Sequence, residues 1–167
     1  AITAWLEIAK AAHSAGIRAQ VTVSAAFGCP CEGEMPAARV VEVARRCAEA
    51  EPFEIALADT IGVGVPAQVT ELVPAVRAVI PGTTRLRAHF HNTRNTGLAN
   101  AYAAVQAGVT TLDASAGGIG GCPFAPAATG NIPTEDLVYM LKRSGFETGI
   151  DLDALIATGK WLQETLG

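Results

Sequence analysis

Aromatic residues are scarce in this sequence, at 5% of 167, and it has no dense run of Lys and Arg, no apolar stretch of membrane length and no initiator Met. Each absence removes a class of protein. With so few rings the core has to be built from Ala, Val, Leu and Ile, and a hydrophobic fraction of 50% is ample for one. A formal net charge of -4, with basic pairs no denser than Arg45-Arg46, leaves no electrostatic footprint for a nucleic-acid backbone or an anionic lipid surface. The expected partners therefore include no nucleic acid and no membrane. A bilayer span takes about 20 consecutive apolar residues, which no segment supplies. The opening Ala1-Ile2-Thr3 lacks the basic n-region of a secretory leader, and the missing Met predicts a chain that begins inside a longer protein.

The four cysteines, Cys29, Cys31, Cys47 and Cys122, are not needed as staples by a domain with an aliphatic core, which fits a reducing, cytoplasmic setting. Cys29-Pro30-Cys31 has a single intervening residue, short of zinc-loop spacing, and no second Cys or His pair stands at finger spacing.

What the sequence does have is an alternation of helical and strand-like periods with little between them. Residues 2–15 read as a helix ending at Gly16, 17–24 as a strand, 36–50 as a helix and 53–58 as an apolar strand closed by Asp59. Pro66 opens the next helix, to residue 80, where its missing N–H costs nothing. A strand over 84–91, a helix over 98–107, a strand over 109–115 and two closing helices, 134–144 and 151–166, complete the series. This is the pattern of stacked βαβ units on a parallel sheet. A dinucleotide-binding sheet would carry Gly-x-Gly-x-x-Gly after its first strand; Gly62-Val63-Gly64 is followed by Ala67 at the third glycine position, a weak match. Polar residues stand instead at the end of strand after strand: Ser24, Asp59, His89 with His91, and Asp113 with Ser115. A barrel gathers such ends on one rim, where barrel enzymes keep their active sites, and a complete barrel takes about 250 residues.

Two motifs carry chemistry. In a strand, His89 and His91 of His89-Phe90-His91 point to the same face, about 6.5–7 Å apart at Cα, a spacing that suits two ligands of one ion. The same pair could equally be structural histidines, hydrogen-bonded at a barrel mouth. Downstream, Gly117, Gly118, Gly120 and Gly121 precede Cys122. Ordering such a loop costs backbone entropy. A mobile lid that brings a thiol over substrate would account for it, and so would a plain turn with a buried cysteine.

The stretch from Ser115 to Phe124, continued by Gly130-Asn131 and by Thr134-Glu135-Asp136-Leu137-Val138-Tyr139-Met140-Leu141, resembles the signature of the 3-hydroxy-3-methylglutaryl-CoA lyases. Gly28-Cys29-Pro30 and Asp59-Thr60-Ile61-Gly62-Val63-Gly64 resemble the loops after that family's fourth and fifth strands, and His89-Phe90-His91 falls on the sixth. The resemblance runs in order over almost the whole chain. It implies an α/β fold, a partial (β/α)8 TIM barrel holding roughly the fourth to eighth strands with their helices, the first strands missing, in a single incomplete domain over residues 1–167. It implies that His89, His91 and Asn131 hold a divalent cation, Mg2+ or Mn2+, and that Cys122 is the catalytic thiol. Asp59 and Glu135 would be further catalytic members, with His89 the base. Gly120, Gly121, Ser24 and Arg94 would line the substrate. The implied substrate is 3-hydroxy-3-methylglutaryl-CoA or a related 3-hydroxy-3-acyl-CoA, cleaved to acetyl-CoA and a β-keto acid, in a full-length homodimer. Cytoplasm is the expected compartment, or the mitochondrial matrix in a eukaryote. Such cleavage removes a proton from a tertiary alcohol and leaves a thioester enolate, work suited to a bound cation and a proton donor in a closed loop.

Two departures qualify the match. The family usually continues His-x-His with Asp-Thr-Tyr-Gly-Gln-Ala, whereas this chain has Asn92-Thr93-Arg94-Asn95-Thr96-Gly97, and with Gly97-Leu98-Ala99-Asn100 it is similar to Claisen-type synthases of the isopropylmalate synthase kind. The glycine–cysteine loop ranks lyase first and synthase second; an inactive truncated fragment is the third reading. The Arg-Asp pair that the family places at the end of its first strand has no counterpart here.

Overall fold

The structure is a computed structural model that describes residues 1–121 and 130–166. In chain order its elements are α1 (Ile2–Ser14), β1 (Gln20–Val23), β2 (Gly28–Cys29), β3 (Gly33–Glu34), α2 (Ala37–Ala48), β4 (Glu54–Asp59), α3 (Pro66–Arg77), β5 (Arg85–Phe90), α4 (Gly97–Gln106), β6 (Thr111–Asp113), a 3-10 turn (Ala116–Gly118), α5 (Thr134–Arg143) and α6 (Leu152–Leu166). Four strands pair in the order β1-β4-β5-β6, each parallel to its neighbour, as the strand–helix alternation predicts.

Strand alternation divides the sheet into two unlike faces. Val23, Ile55, Leu57, Leu86, Ala88 and Phe90 form one core with Val40 and Ala44 of α2, Val69, Leu72, Val73 and Val76 of α3, and Ala101 and Ala104 of α4. The register places Thr22, Ala56, Arg87 and Thr111 side by side on the other face, followed by Ala58, His89 and Asp113. This polar row is the side a barrel turns inward. The sheet does not close, and β1 and β6 are its edges.

Three of the four sheet strands, β1, β5 and β6, are shorter than their periodicity predicts, at β1 and β6 for local reasons. Gly16 takes a left-handed φ of 70°, which delays β1 to Gln20, and Ala25 turns at φ 55° just past its end. Val109 still belongs to the end of α4, donating its N–H to the Ala104 carbonyl at 2.9 Å, so β6 begins only at Thr111. The antiparallel hairpin of β2 and β3 was not expected; Gly33 at φ 80° closes it and places Cys29 opposite Gly33. Among the described residues, no helix is long and apolar enough to cross a membrane.

One core residue ties the fold to the rim. Ile132 is 0% exposed, its N–H bonds the Phe90 carbonyl at 3.4 Å, and it packs so close to Gly97 that a Cβ there would collide with its Cγ2. Ile132→Val should cost about 1 kcal/mol, the usual loss for one buried methyl group, read as a lower urea midpoint at constant slope.

Candidate metal and catalytic site

Phe90 is 1% exposed and anchors β5 in the core, which forces its two neighbours to the polar face. The rings of His89 and His91 lie with centroids 5.0 Å apart at 65°. The chain then travels through α4 and β6 and returns beside them. Gly130 accepts the Asn92 N–H at 3.2 Å, Ile132 accepts the Ser115 N–H at 3.2 Å, and Ser115 accepts the Thr134 N–H at 2.9 Å. His91 and Asn131 become paired partners in an antiparallel bridge, and Ser115 and Pro133 in a parallel one. The segment from Gly130 to Thr134 thus lies between the ends of β5 and β6.

The orientation of Asn131 follows from a single bond, since its Nδ2 donates to the Ile119 carbonyl at 2.9 Å. That leaves Oδ1 buried without a hydrogen-bond partner, and His91 Nδ1 is in the same condition. Buried polar atoms are rarely left unpaired, and each such atom costs about 1–3 kcal/mol. Burial, then the adjacent His89 ring, holds the His91 imidazole below the ordinary histidine range, against the opposing pull of Asp59, Asn131 and Asp113. His91 is therefore neutral at pH 7, the form with a lone pair to give. Imidazole nitrogens and an amide oxygen make a donor set that fits a divalent cation. Among the described residues, no three His, Cys, Asp or Glu side chains form a metal-holding group, so the fit depends on the amide of Asn131.

Asp113 lies directly across from His89 in the β5–β6 register, and its Oδ1 is hydrogen-bonded to His89 Nδ1. Its Oδ2 pairs with Arg87 Nη1 at 3.1 Å, and Arg87 Nε pairs with Glu54 Oε1 at 3.1 Å. Sequence reasoning placed Asp113 at a strand end without giving it a role and passed over Arg87 and Glu54. The available signal was Arg87 two residues before His89 and so on the same face.

The other expected site residues take different places. Asp59 is 0% exposed, and its two oxygens accept the N–H groups of Val63 at 3.0 Å and Gly64 at 2.9 Å, so the carboxylate shapes the 62–64 loop. Burial pushes its carboxyl above the ordinary aspartate range, partly offset by the N–H donors of Gly64, Val63 and Gly62 and by His91. Glu135, in the first turn of α5, accepts the Gly117 N–H at 2.9 and 3.0 Å and so holds the start of the glycine loop. Gly120 has φ 101°, and a Cβ there would fall 2.9 Å from Asn131 Nδ2. Gly121 and Ser24 are exposed. Arg94 is also exposed and lines a separate cavity of about 310 Å³ with Phe27, Cys29, Glu34, Val63 and Gln68. Cys122 lies outside the described residues.

A family model described as HMGL-like matches residues 1–162. Over 152 residues the chain is 51% identical to the (R)-citramalyl-CoA lyase of Chloroflexus aurantiacus, covering 91% of this chain and 48% of that protein. It is 44% identical over 160 residues to the mitochondrial hydroxymethylglutaryl-CoA lyase of Bos taurus, covering 96% and 49%. Among solved structures, the HMG-CoA lyase of Bacillus subtilis superposes with a TM-score of 0.92 at 38% identity, over 99% of this chain and 55% of that one. An Acinetobacter baumannii HMG-CoA lyase, solved with coenzyme A and 3-methylmalate, gives 0.90 at 42% identity, over 98% and 53%. The chain spans about half the length of the curated relatives it matches. Its open parallel sheet corresponds to part of their TIM barrel, and the chain belongs to the HMGL-like family, that of the 3-hydroxy-3-methylglutaryl-CoA lyases.

Proposed function

We propose that this chain carries the metal-holding part of the rim of a carbon–carbon lyase that cleaves a 3-hydroxy-3-methylacyl-CoA to acetyl-CoA and a keto acid. The observation that carries the reading is the His91–Asn131 pairing, which leaves a neutral imidazole nitrogen and an amide oxygen buried side by side without partners. His89, His91 and Asn131 hold the cation, Mg2+ or Mn2+. When bound, it supplies a Lewis acid that acidifies the tertiary hydroxyl and orients the C2–C3 bond.

The chain's own groups do the rest. With Nδ1 engaged by Asp113, His89 presents one nitrogen, Nε2, so it cannot hold a cation and take the alcohol proton at once; we assign it the first duty. Glu135 and Asn131 fix the glycine loop through Gly117 and Ile119. Cys122, the residue that follows Gly121 in sequence, would give the enolate carbon its proton, and the proton released by the alcohol would restore the thiol.

The citramalyl and 3-hydroxy-3-methylglutaryl thioesters differ by one methylene and share the tertiary alcohol, and relatives named for each resemble this chain. Cleavage gives pyruvate from the first and acetoacetate from the second. The test uses the intact natural protein, with acetyl-CoA release measured from both thioesters before and after EDTA. Release from at least one, abolished by the chelator and restored by Mn2+ or Mg2+, is expected. Chelator-insensitive release would overturn the metal assignment. Condensation of acetyl-CoA with a keto acid, without cleavage of either thioester, would replace the lyase with a synthase.

A further inference from the structure

The polar face of the sheet contains a chain of charges that the proposed reaction leaves unexplained: Glu54 on β4, Arg87 and His89 on β5, and Asp113 on β6. We propose that Asp113 is a positioning residue that fixes the tautomer of His89, holding the proton on Nδ1 so that the Nε2 lone pair faces the site. This inference rests on the reading that His89 serves a metal.

Three observations carry it. His89 and Asp113 are register partners on adjacent parallel strands, so the Nδ1–carboxylate contact is set by backbone pairing and not by a flexible reach. The second carboxylate oxygen forms an ion pair with Arg87 Nη1 at 3.1 Å, so both oxygens of Asp113 face partners within the protein. Arg87 is in turn held by Glu54, which is 5% exposed, so the far end of the chain is anchored in the protein interior. An acceptor-only carboxylate facing Nδ1 demands a proton there, and a neutral imidazole has just one to place. The ring is thereby committed to a single donor nitrogen, with its plane held by a rigid partner, which is the work a carboxylate does behind a metal-bound histidine.

The test begins with the metal-free intact protein. Imidazole 15N correlation spectra, at a pH where His89 is neutral, should show the proton on Nδ1 and Nε2 bare. In Asp113→Asn the side-chain amide can donate to Nδ1 as well as accept from it, so the tautomer preference should weaken or invert. Mn2+ affinity by calorimetry should fall about 10–100-fold. Asp113→Glu, which keeps the acceptor, should recover part of both. A wild-type His89 with its proton on Nε2 would overturn the assignment without any variant. So would an Asp113→Asn protein with unchanged tautomer and unchanged affinity. A wild-type protein that shows the Nδ1 proton but binds no Mn2+ would overturn the metal reading alone and leave the positioning of the ring in place.

Discussion

Replacing His91 by Ala is expected to lower the Mn2+ affinity of the intact protein by about 100-fold or more, exceeding what loss of a supporting outer residue costs. The argument starts from what the ring lacks. His91 is 6% exposed, yet its Nδ1 makes no hydrogen bond, and burial keeps it neutral. A structural histidine would be bonded on both sides, and its removal would cost stability in the absence of metal. Here Nδ1 has no partner to lose, so the metal-free variant should stay folded, with a change limited to ring packing and the contact with Asn131. The wild type should gain about 2.7 kcal/mol of stability at a free ion concentration 100 times its dissociation constant, and the variant almost none. Thermal unfolding with and without Mn2+ measures both at once. A variant that loses stability in EDTA but keeps its Mn2+ shift would return His91 to a structural role.

On the proposed lyase reading, Gly130→Ala in the intact protein is expected to reduce acetyl-CoA release about 100-fold, the scale on which a 1 Å misplacement near a reacting group is felt. A Cβ at Gly130 would fall 2.5 Å from the Gly120 carbonyl oxygen and closer still to that of Gly118. Both obstacles are backbone, so neither can rotate away. The glycine loop and the 130–134 segment would be wedged apart, and the bond from Asn131 Nδ2 to the Ile119 carbonyl would stretch with them. The stability loss should be about 1–3 kcal/mol, as for other overpacked sites. Gly82→Ala is the control: nothing lies within 4 Å of its Cβ, and it should change stability by no more than about 0.5 kcal/mol. Equal effects of the two substitutions on turnover would remove the close approach from the account.

The order of the helices and of the four sheet strands was legible in the sequence because burial periods of 2.0 and 3.6 residues mark it directly, whereas the short β2–β3 hairpin has no such period. So was the shared direction of His89 and His91, which needs nothing beyond strand alternation. The convergence of Asn131 on His91 was legible only through resemblance to a family, because no local period reports that a distant segment returns to bridge a strand end. The His89–Asp113 contact was hidden for a related reason. It depends on the register between β5 and β6, and a slip of one residue would have turned Asp113 to the opposite face. Asp59 shows the converse limit. Its place at a strand end suggested a role at the rim, whereas a carboxylate followed by a glycine-rich turn also satisfies backbone donors, and here both its oxygens do so.

The docking of Gly130–Thr134 between the ends of β5 and β6 has a kinetic corollary. His91 and Asn131 meet only after α4 and β6 have packed, so closing that long excursion must precede assembly of the donor set. On the proposed metal reading, ion capture would accordingly be a late event on the folding route. Supplying cation to a refolding chain should slow its unfolding far more than it speeds the initial collapse.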